Sequence, residues 1–505
     1  MKKKISLFLM ILCLGVLTAC SQSIPGLGGA TVESSGEDSS STNEESLEEG
    51  TKVTLEIPGY ETQSQSGTSE SVPDEMTETD ETEEVSEDSG KDTEGINKED
   101  IEIRIAIATD IHYLAKELCD EGESFQAMLQ NSDGMLTQYG WEILMAFLED
   151  IEKEQPDVLI LSGDLTKNGE KKSHEALADR LRRLEKKGIP VVVIPGNHDI
   201  NSPYASGYRK EGTYPVENIS AQQFRDIYKE FGYKEAISED PASLSYIYPL
   251  NEYTWLLMID SCQYDPVNQV GGMIQEGTYQ WIEEKLEAAW DEGIRVIPVT
   301  HHNLLEQTQA SEEFIQNCTI EHDERLIHMW EDNDINLHLS GHLHIQHYTH
   351  TQEEPRIYEV VTGALMMYPC KYGILEILVN GDLNYYTKKV EVEKWAKKYG
   401  KKDRELLNFD AYAKEFLYDI SYWNVYYDLQ AHGLSVGDSE SMAKLYARLN
   451  PNFYSGTIPN TSEEILQDPA YKLWKDSEYF SEVATTIQSM IKEENHDYNT
   501  LYIPY

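Results

Sequence analysis

From Ile101 onward, short apolar runs rich in β-branched residues alternate with longer amphipathic stretches, and this alternation confines the chain to an α/β architecture. Residues 103–109, 158–162 and 189–194 read as strands, separated by helical stretches over 140–154 and 171–187. A polar insertion containing Tyr and Gly follows. The alternation then resumes, with strands over 253–259, 296–300 and 335–339 and helices over 277–292 and 321–332. Two β/α halves of this kind bury their apolar faces by packing sheet on sheet. Three more strands are expected at 357–362, 374–379 and 384–390, with Asn380-Gly381 as a hairpin turn, and are assigned to the second sheet. Beyond residue 390 the spacing becomes helical, with aromatic clusters such as Tyr422, Trp423, Tyr426 and Tyr427, so 391–505 reads as an appended helical domain.

The chain before residue 101 has a different character. Residues 21–100 hold 23 Asp and Glu against 3 Lys, with Tyr60 as the single aromatic, too little apolar surface to offset the entropy of ordering a backbone. They read as a disordered acidic tether. Lys2-Lys3-Lys4 and an apolar run over 5–16, too short to span a bilayer, read as a secretory signal. The run ends in Leu17-Thr18-Ala19-Cys20, which resembles the bacterial lipobox. That resemblance implies cleavage before Cys20, lipidation of Cys20 with palmitate-type chains, and residence on the extracellular face of a bacterial cell membrane. A formal net charge of −50 with no basic stripe excludes nucleic-acid polymers as natural partners. Cys119, Cys262, Cys318 and Cys370 form no C-x-x-C pair, and their spacing leaves disulfides open.

Five short polar motifs fall at or just beyond strand ends, where an open α/β sheet presents its ligand groups. They are Asp110-Ile111-His112, Ser162-Gly163-Asp164, Gly196-Asn197-His198-Asp199, His301-His302-Asn303 and Gly341-His342-Leu343-His344. Gly163 permits a tight turn that aims Asp164 into the cleft, and a carboxylate with two oxygens can serve two ions. The donor set is imidazole, carboxylate and amide oxygen without thiolate, which suits Mn, Fe or Zn. Buried groups of this kind cost desolvation unless they coordinate something.

The motifs resemble those of the calcineurin-like metallophosphoesterases over roughly residues 101–390. The resemblance implies a two-sheet β-sandwich flanked by helices. It implies one divalent ion on Asp110, His112, Asp164 and His344, and a second on Asp164, Asn197, His301 and His342. His198 would act on the leaving group or transition state, Asp199 would orient its ring, and His302 would touch substrate or simply pack. Purple acid phosphatases carry Tyr three residues after the bridging Asp, where this chain has Lys167. The wider sequence around these motifs, including Asn168-Gly169-Glu170-Lys171, resembles lipoprotein-type cyclic-nucleotide phosphodiesterases of Gram-positive bacteria, which also bear a C-terminal helical domain. A small phosphodiester such as a cyclic nucleotide is therefore the expected substrate. A phosphomonoesterase or nucleotidase, and a surface lipoprotein that binds a partner without catalysis, are the competing readings. Oligomeric state is open.

Overall fold

The computed structural model describes residues 96–308, 318–351, 356–457, 462–477, 480–492 and 497–505. The signal, Cys20 and tether residues 21–95 lie outside the described residues; the end of the expected tether is ordered, with a 3-10 turn at Lys98–Asp100 leading into the first strand.

Two sheets form the body of the protein. The first has six strands in the order Thr500–Ile503, Leu383–Lys389, Lys371–Leu378, Ile101–Ala108, Val158–Ser162 and Val191–Ile194. The last three of these run parallel, as their helical crossovers require, and the others are antiparallel. The second sheet has seven strands, with a parallel centre of Thr254–Met258, Arg295–Val299, Leu337–Ser340 and Tyr358–Val361. Tyr246–Pro249 and His347–His350 flank that centre as antiparallel neighbours.

Alternation along the strands explains the layering. Leu256 and Met258 enter the core shared with Ile105, Ile107 and Leu159 of the first sheet, whereas Leu257 faces the other way and packs with Ile282, Leu286 and Trp330. The outer face of the first sheet is covered by the helices Gly140–Glu154 and Lys171–Lys186, through Phe147, Leu177 and Leu181. Every residue of Val158–Ser162 is consequently buried, which is why the strand is continuously apolar from Val158 to Leu161. The result is a helix, sheet, sheet, helix sandwich with an appended helical region, the expected fold class.

Two placements depart from expectation. The strands over 371–389 do not complete the second sheet; they join the first, antiparallel to its opening strand. Their apolar patterning fits either sheet, and only the pairing partner decides. The helical region does not stay helical to residue 505, because Thr500–Ile503 returns as an edge strand beside Leu383–Lys389. The polar insertion also carries structure that polarity concealed. Tyr246–Pro249 extends the second sheet, and Ser206–Arg209 pairs with Gly212–Pro215 as a separate ribbon.

The C-terminal helices Phe409–Ala431 and Val436–Tyr454 pack around their own core of Leu429, Met442, Leu445, Trp474 and Phe480. A smaller apolar cluster joins them to the body, with Leu417 and Tyr454 among Met135, Leu343, Ile345 and Met367. Cys119, Cys262, Cys318 and Cys370 are free thiols. Among the described residues no helix is long and apolar enough to cross a membrane.

Candidate active site

All five motifs leave the C-terminal ends of neighbouring strands and converge between the two sheets. Backbone pairing continues past the strand ends: Asp110 N donates to Gly163 O at 3.1 Å, His112 N to Asp164 O at 2.9 Å, and Gly341 N to His301 O at 3.0 Å. Asp110, His112, Asp164, His342 and His344 all adopt positive φ, between 41° and 70°. Non-glycine residues are uncommon there, Asp, Asn and His being the best tolerated, and such strain collects at functional sites. Gly163 (φ 98°) and Gly196 make the approach possible. A Cβ on Gly163 would stand 2.5 Å from His301 Nδ1, and one on Gly196 would stand 2.1 Å from Asp164 N.

Each carboxylate has one oxygen fixed and the other directed inward. Asp110 Oδ2 accepts from Thr109 Oγ1 at 2.8 Å and His342 N at 3.1 Å, while buried Oδ1 has no hydrogen-bond donor. Asp164 Oδ1 accepts from His198 N at 2.8 Å. Its Oδ2 lies 3.5 Å from His112 Nε2 and 3.4 Å from His301 Nε2. His112 Nε2 and His344 Nε2 are 3.2 Å apart, and His344 Nε2 is 3.4 Å from Asp110 Oδ1. On the other side, His301 Nε2 lies 3.1 Å from Asn197 Oδ1, and its Nδ1 donates to Ser162 O at 2.9 Å. His342 sits beside it, ring centres 5.1 Å apart.

Asp110, His112, Asp164 and His344 thus form one cluster able to hold an ion, and His301 and His342 belong to a second, with Asp164 facing both. Two donors each about 2.1 Å from a cation, at tetrahedral or octahedral angles, stand roughly 3.0–3.4 Å apart, which matches these separations. An orphaned carboxylate oxygen buried among imidazole nitrogens fits a divalent cation as well.

Electrostatics point the same way. Burial opposes charge on all these groups. At His301 and His344 the adjoining Asp164 and Asp110 outweigh it and lift the imidazoles to about 9 and about 10. At His112 and His342 burial prevails and drops them to about 3. Against the same burial, neighbouring imidazoles hold the carboxyls of Asp110 and Asp164 below their ordinary range. The carboxylates draw positive charge to this point.

One expectation needs correcting, and one open alternative narrows. Asp199 does not orient the His198 ring. His198 Nδ1 donates instead to Lys167 O at 2.8 Å and stands 2.9 Å from Asn168 Oδ1. The Asp199 carboxylate accepts from Leu165 N at 3.0 Å, Thr166 N at 3.0 Å, Thr166 Oγ1 at 3.0 Å and Gly196 N at 2.9 Å, binding the second and third motif loops together. His302 lies with His301 and His342, but both its ring nitrogens are engaged, Nδ1 with Ser261 Oγ at 2.8 Å and Nε2 with Val270 O at 2.8 Å. It packs beneath the site and offers no lone pair to an ion.

Sequence reasoning missed three groups. Glu359 does for the second sheet what Asp199 does for the first. Its buried carboxylate accepts from Leu304 N, Leu305 N, Gln307 Nε2 and Ser340 Oγ at 2.6–2.8 Å, tying the His301 loop to the residue before Gly341. Asn168 was visible within its motif but had no role. Asp133, 3.3 Å from His344 Nδ1, comes from a loop that no spacing rule connects to the site.

Residues 103–346 match the family described as calcineurin-like phosphoesterase, and residues 391–497 match the C-terminal domain of cyclic nucleotide phosphodiesterase. A probable cyclic nucleotide phosphodiesterase of Synechococcus sp. is 41% identical over 54 residues, 11% of this chain and 20% of that protein. A 3′,5′-cyclic-nucleotide phosphodiesterase of Nostoc sp. is 35% identical over 101 residues, 20% of this chain and 32% of that protein. The chain therefore spans a third or less of the length of these curated relatives. Among solved structures, a dimetal phosphatase from Danio rerio aligns with a TM-score of 0.43 at 11% identity, over 57% of this chain and 97% of that one. A purple acid phosphatase from yellow lupin aligns with a TM-score of 0.37 at 13% identity, over 57% and 51%.

Proposed function

Because the chain belongs to the calcineurin-like phosphoesterases over residues 103–346 and carries the C-terminal domain of cyclic nucleotide phosphodiesterase over 391–497, we propose that it is a two-metal phosphodiesterase acting on small phosphodiesters, cyclic nucleotides first among them. The observation that carries this reading is Asp164 Oδ2, within 3.5 Å of donor nitrogens on both sides while its partner oxygen is held by His198 N. Asp110, His112, Asp164 and His344 would hold one ion, and Asp164, Asn197, His301 and His342 the other, with Mn, Fe or Zn suited to the N/O donors. Two bound cations supply charge to neutralise phosphate oxygens and acidify a water.

The chain's own residues would do the rest. His198 is held by its Nδ1–H on Lys167 O, so Nε2 faces the centre, 4.0 Å from Asp164 Oδ2. From there a protonated His198 can pass its Nε2 proton to the departing alkoxide, a poor leaving group in a phosphodiester. Its positive charge would be supported by Lys167 O, Asn168 Oδ1 and the Asp164 carboxylate. Asp199 and Glu359 fix the loops that carry the ligands, so the geometry stands before substrate arrives.

Supporting the diester preference are the match at 391–497 and the two cyanobacterial relatives named above. The proposal extends to location: Cys20 carries the lipid, the acidic tether holds the enzyme away from an anionic surface, and the substrate is extracellular. The deciding experiment measures turnover of 2′,3′- and 3′,5′-cyclic nucleotides, bis-p-nitrophenyl phosphate and mononucleotides by protein loaded with Mn, Fe or Zn. Faster turnover of diesters is expected, and preference for mononucleotides overturns the diesterase reading. Metabolic labelling with palmitate checks the anchor, since Cys20→Ala should abolish the label.

A further inference from the structure

His344 places Nε2 at the centre, 3.2 Å from His112 Nε2, and turns Nδ1 outward to within 3.3 Å of Asp133 Oδ2. Asp133 is itself buried and follows the helix Glu123–Gln130, outside all five motifs. A carboxylate behind a ligating imidazole fixes the ring's rotation and tautomer and raises its basicity, and removing such a partner typically costs 10–100-fold in metal affinity.

The loop that carries Asp133 rests against the C-terminal helical region. Asn424 Nδ2 donates to Ser132 O at 3.3 Å, and Gln138 Nε2 to Tyr412 Oη at 3.0 Å, both from the helix Phe409–Ala431. Leu417 of that helix presses on Gly134, where an added Cβ would meet Leu417 Cδ1 at 2.5 Å. The same Leu417 shares an apolar cluster with Leu343 and Ile345, the residues on either side of His344. The end of the next helix grips the loop just beyond, Gln346 N donating to Tyr454 O at 3.1 Å, and the segment before the strand Thr500–Ile503 adds Tyr498 O, which accepts from Gln346 Nε2 at 3.0 Å.

We infer that Asp133 is a positioning residue for His344, and that the C-terminal helices are part of the metal site, clamping the Asp133 loop against the His344 loop through Leu417, Asn424 and Tyr454. The inference rests on the two-metal reading above and assigns the helical region a task beyond partner binding. Leu417 and Leu429 allow a matched test, since both are fully buried on one helix but Leu429 lies in the helical region's own core.

The test uses the full chain and titrates zinc against a chelator, with elemental analysis and metal-free melting. The unaltered protein should hold two equivalents. Asp133→Ala should bind one of the two 10–100-fold more weakly and leave the other unchanged. Leu417→Ala and Leu429→Ala should melt at similarly lowered temperatures, with only Leu417→Ala weakening an ion. Two equivalents at unaltered affinity in Asp133→Ala, or equal weakening by the two leucine variants, overturns the inference and leaves the two-metal reading standing. An unaltered chain that binds no metal removes both.

Discussion

Asp199→Asn separates two accounts of a residue that lies next to the candidate catalyst. The carboxylate receives four donors, two on each oxygen: Leu165 N and Gly196 N on Oδ2, Thr166 N and Thr166 Oγ1 on Oδ1. An amide keeps one acceptor oxygen, so one pair must face its NH2 group. The less costly orientation keeps the oxygen toward Leu165 and Gly196, because the Thr166 hydroxyl can rotate and accept. One buried backbone N–H, that of Thr166, is then left without a partner, at about 1–3 kcal/mol. For a folded body of about 400 residues the unfolding entropy is on the order of 0.8 kcal/mol per kelvin, so the melting temperature should fall by roughly 1–4 °C. The His198 ring remains on Lys167 O and Asn168 Oδ1, so turnover should fall less than in His198→Gln. Calorimetry and steady-state kinetics on the metal-loaded protein read both quantities. Unchanged melting with a turnover loss as large as that of His198→Gln would refute the loop-fastening role and restore Asp199 as the ring's partner.

Asp164→Asn should abolish binding of both ions by elemental analysis, since Oδ2 faces both donor groups; retention of two equivalents contradicts the bridging geometry. His198→Gln should keep both ions and lower turnover about 10²- to 10⁴-fold, the usual contribution of a positioned acid; parallel loss of metal would make His198 a ligand. His174 is buried between Tyr228 Oη and Asp199 O, and burial drops its imidazole from 6.5 to about 3. The unfolded chain takes up that proton below about 6.5 and the folded chain does not, so the stability due to His174 is intact above 6.5 and declines as the pH falls toward 3. The decline is about 1–2 kcal/mol between pH 6.5 and 5. Urea unfolding of His174→Gln should show a shallower acid slope across that interval, and an unchanged slope assigns the acid sensitivity elsewhere.

The seven candidate ligands were legible because metal chemistry restricts residue type and strand ends restrict position. Both restrictions are local, and His301 and Asn197 could be picked out without knowing that they lie 3.1 Å apart. The supporting residues were not legible for the opposite reason. Asp133 and Glu359 act through contacts with segments 211 and 55 residues away, and a buried carboxylate that accepts backbone N–H groups has no spacing signature. The family resemblance misled at Asp199, where it implied a contact with the His198 ring that the positions of Lys167 and Asn168 pre-empt. The strands over 371–389 were recognised as strands yet assigned to the wrong sheet, because period-two patterning says which face is buried and nothing about which neighbour it joins.

The positive φ values of Asp110, His112, Asp164, His342 and His344 bear on how such a centre can be redesigned. Each residue was chosen twice, once for its donor atom and once for a backbone shape that costs on the order of 1–3 kcal/mol. A donor swap that looks conservative on the bench, Glu for Asp or Cys for His, must satisfy the second choice before its coordination chemistry matters. Engineering a different metal preference should therefore begin with the groups behind the ligands, whose backbones are ordinary, and leave the ligands in place.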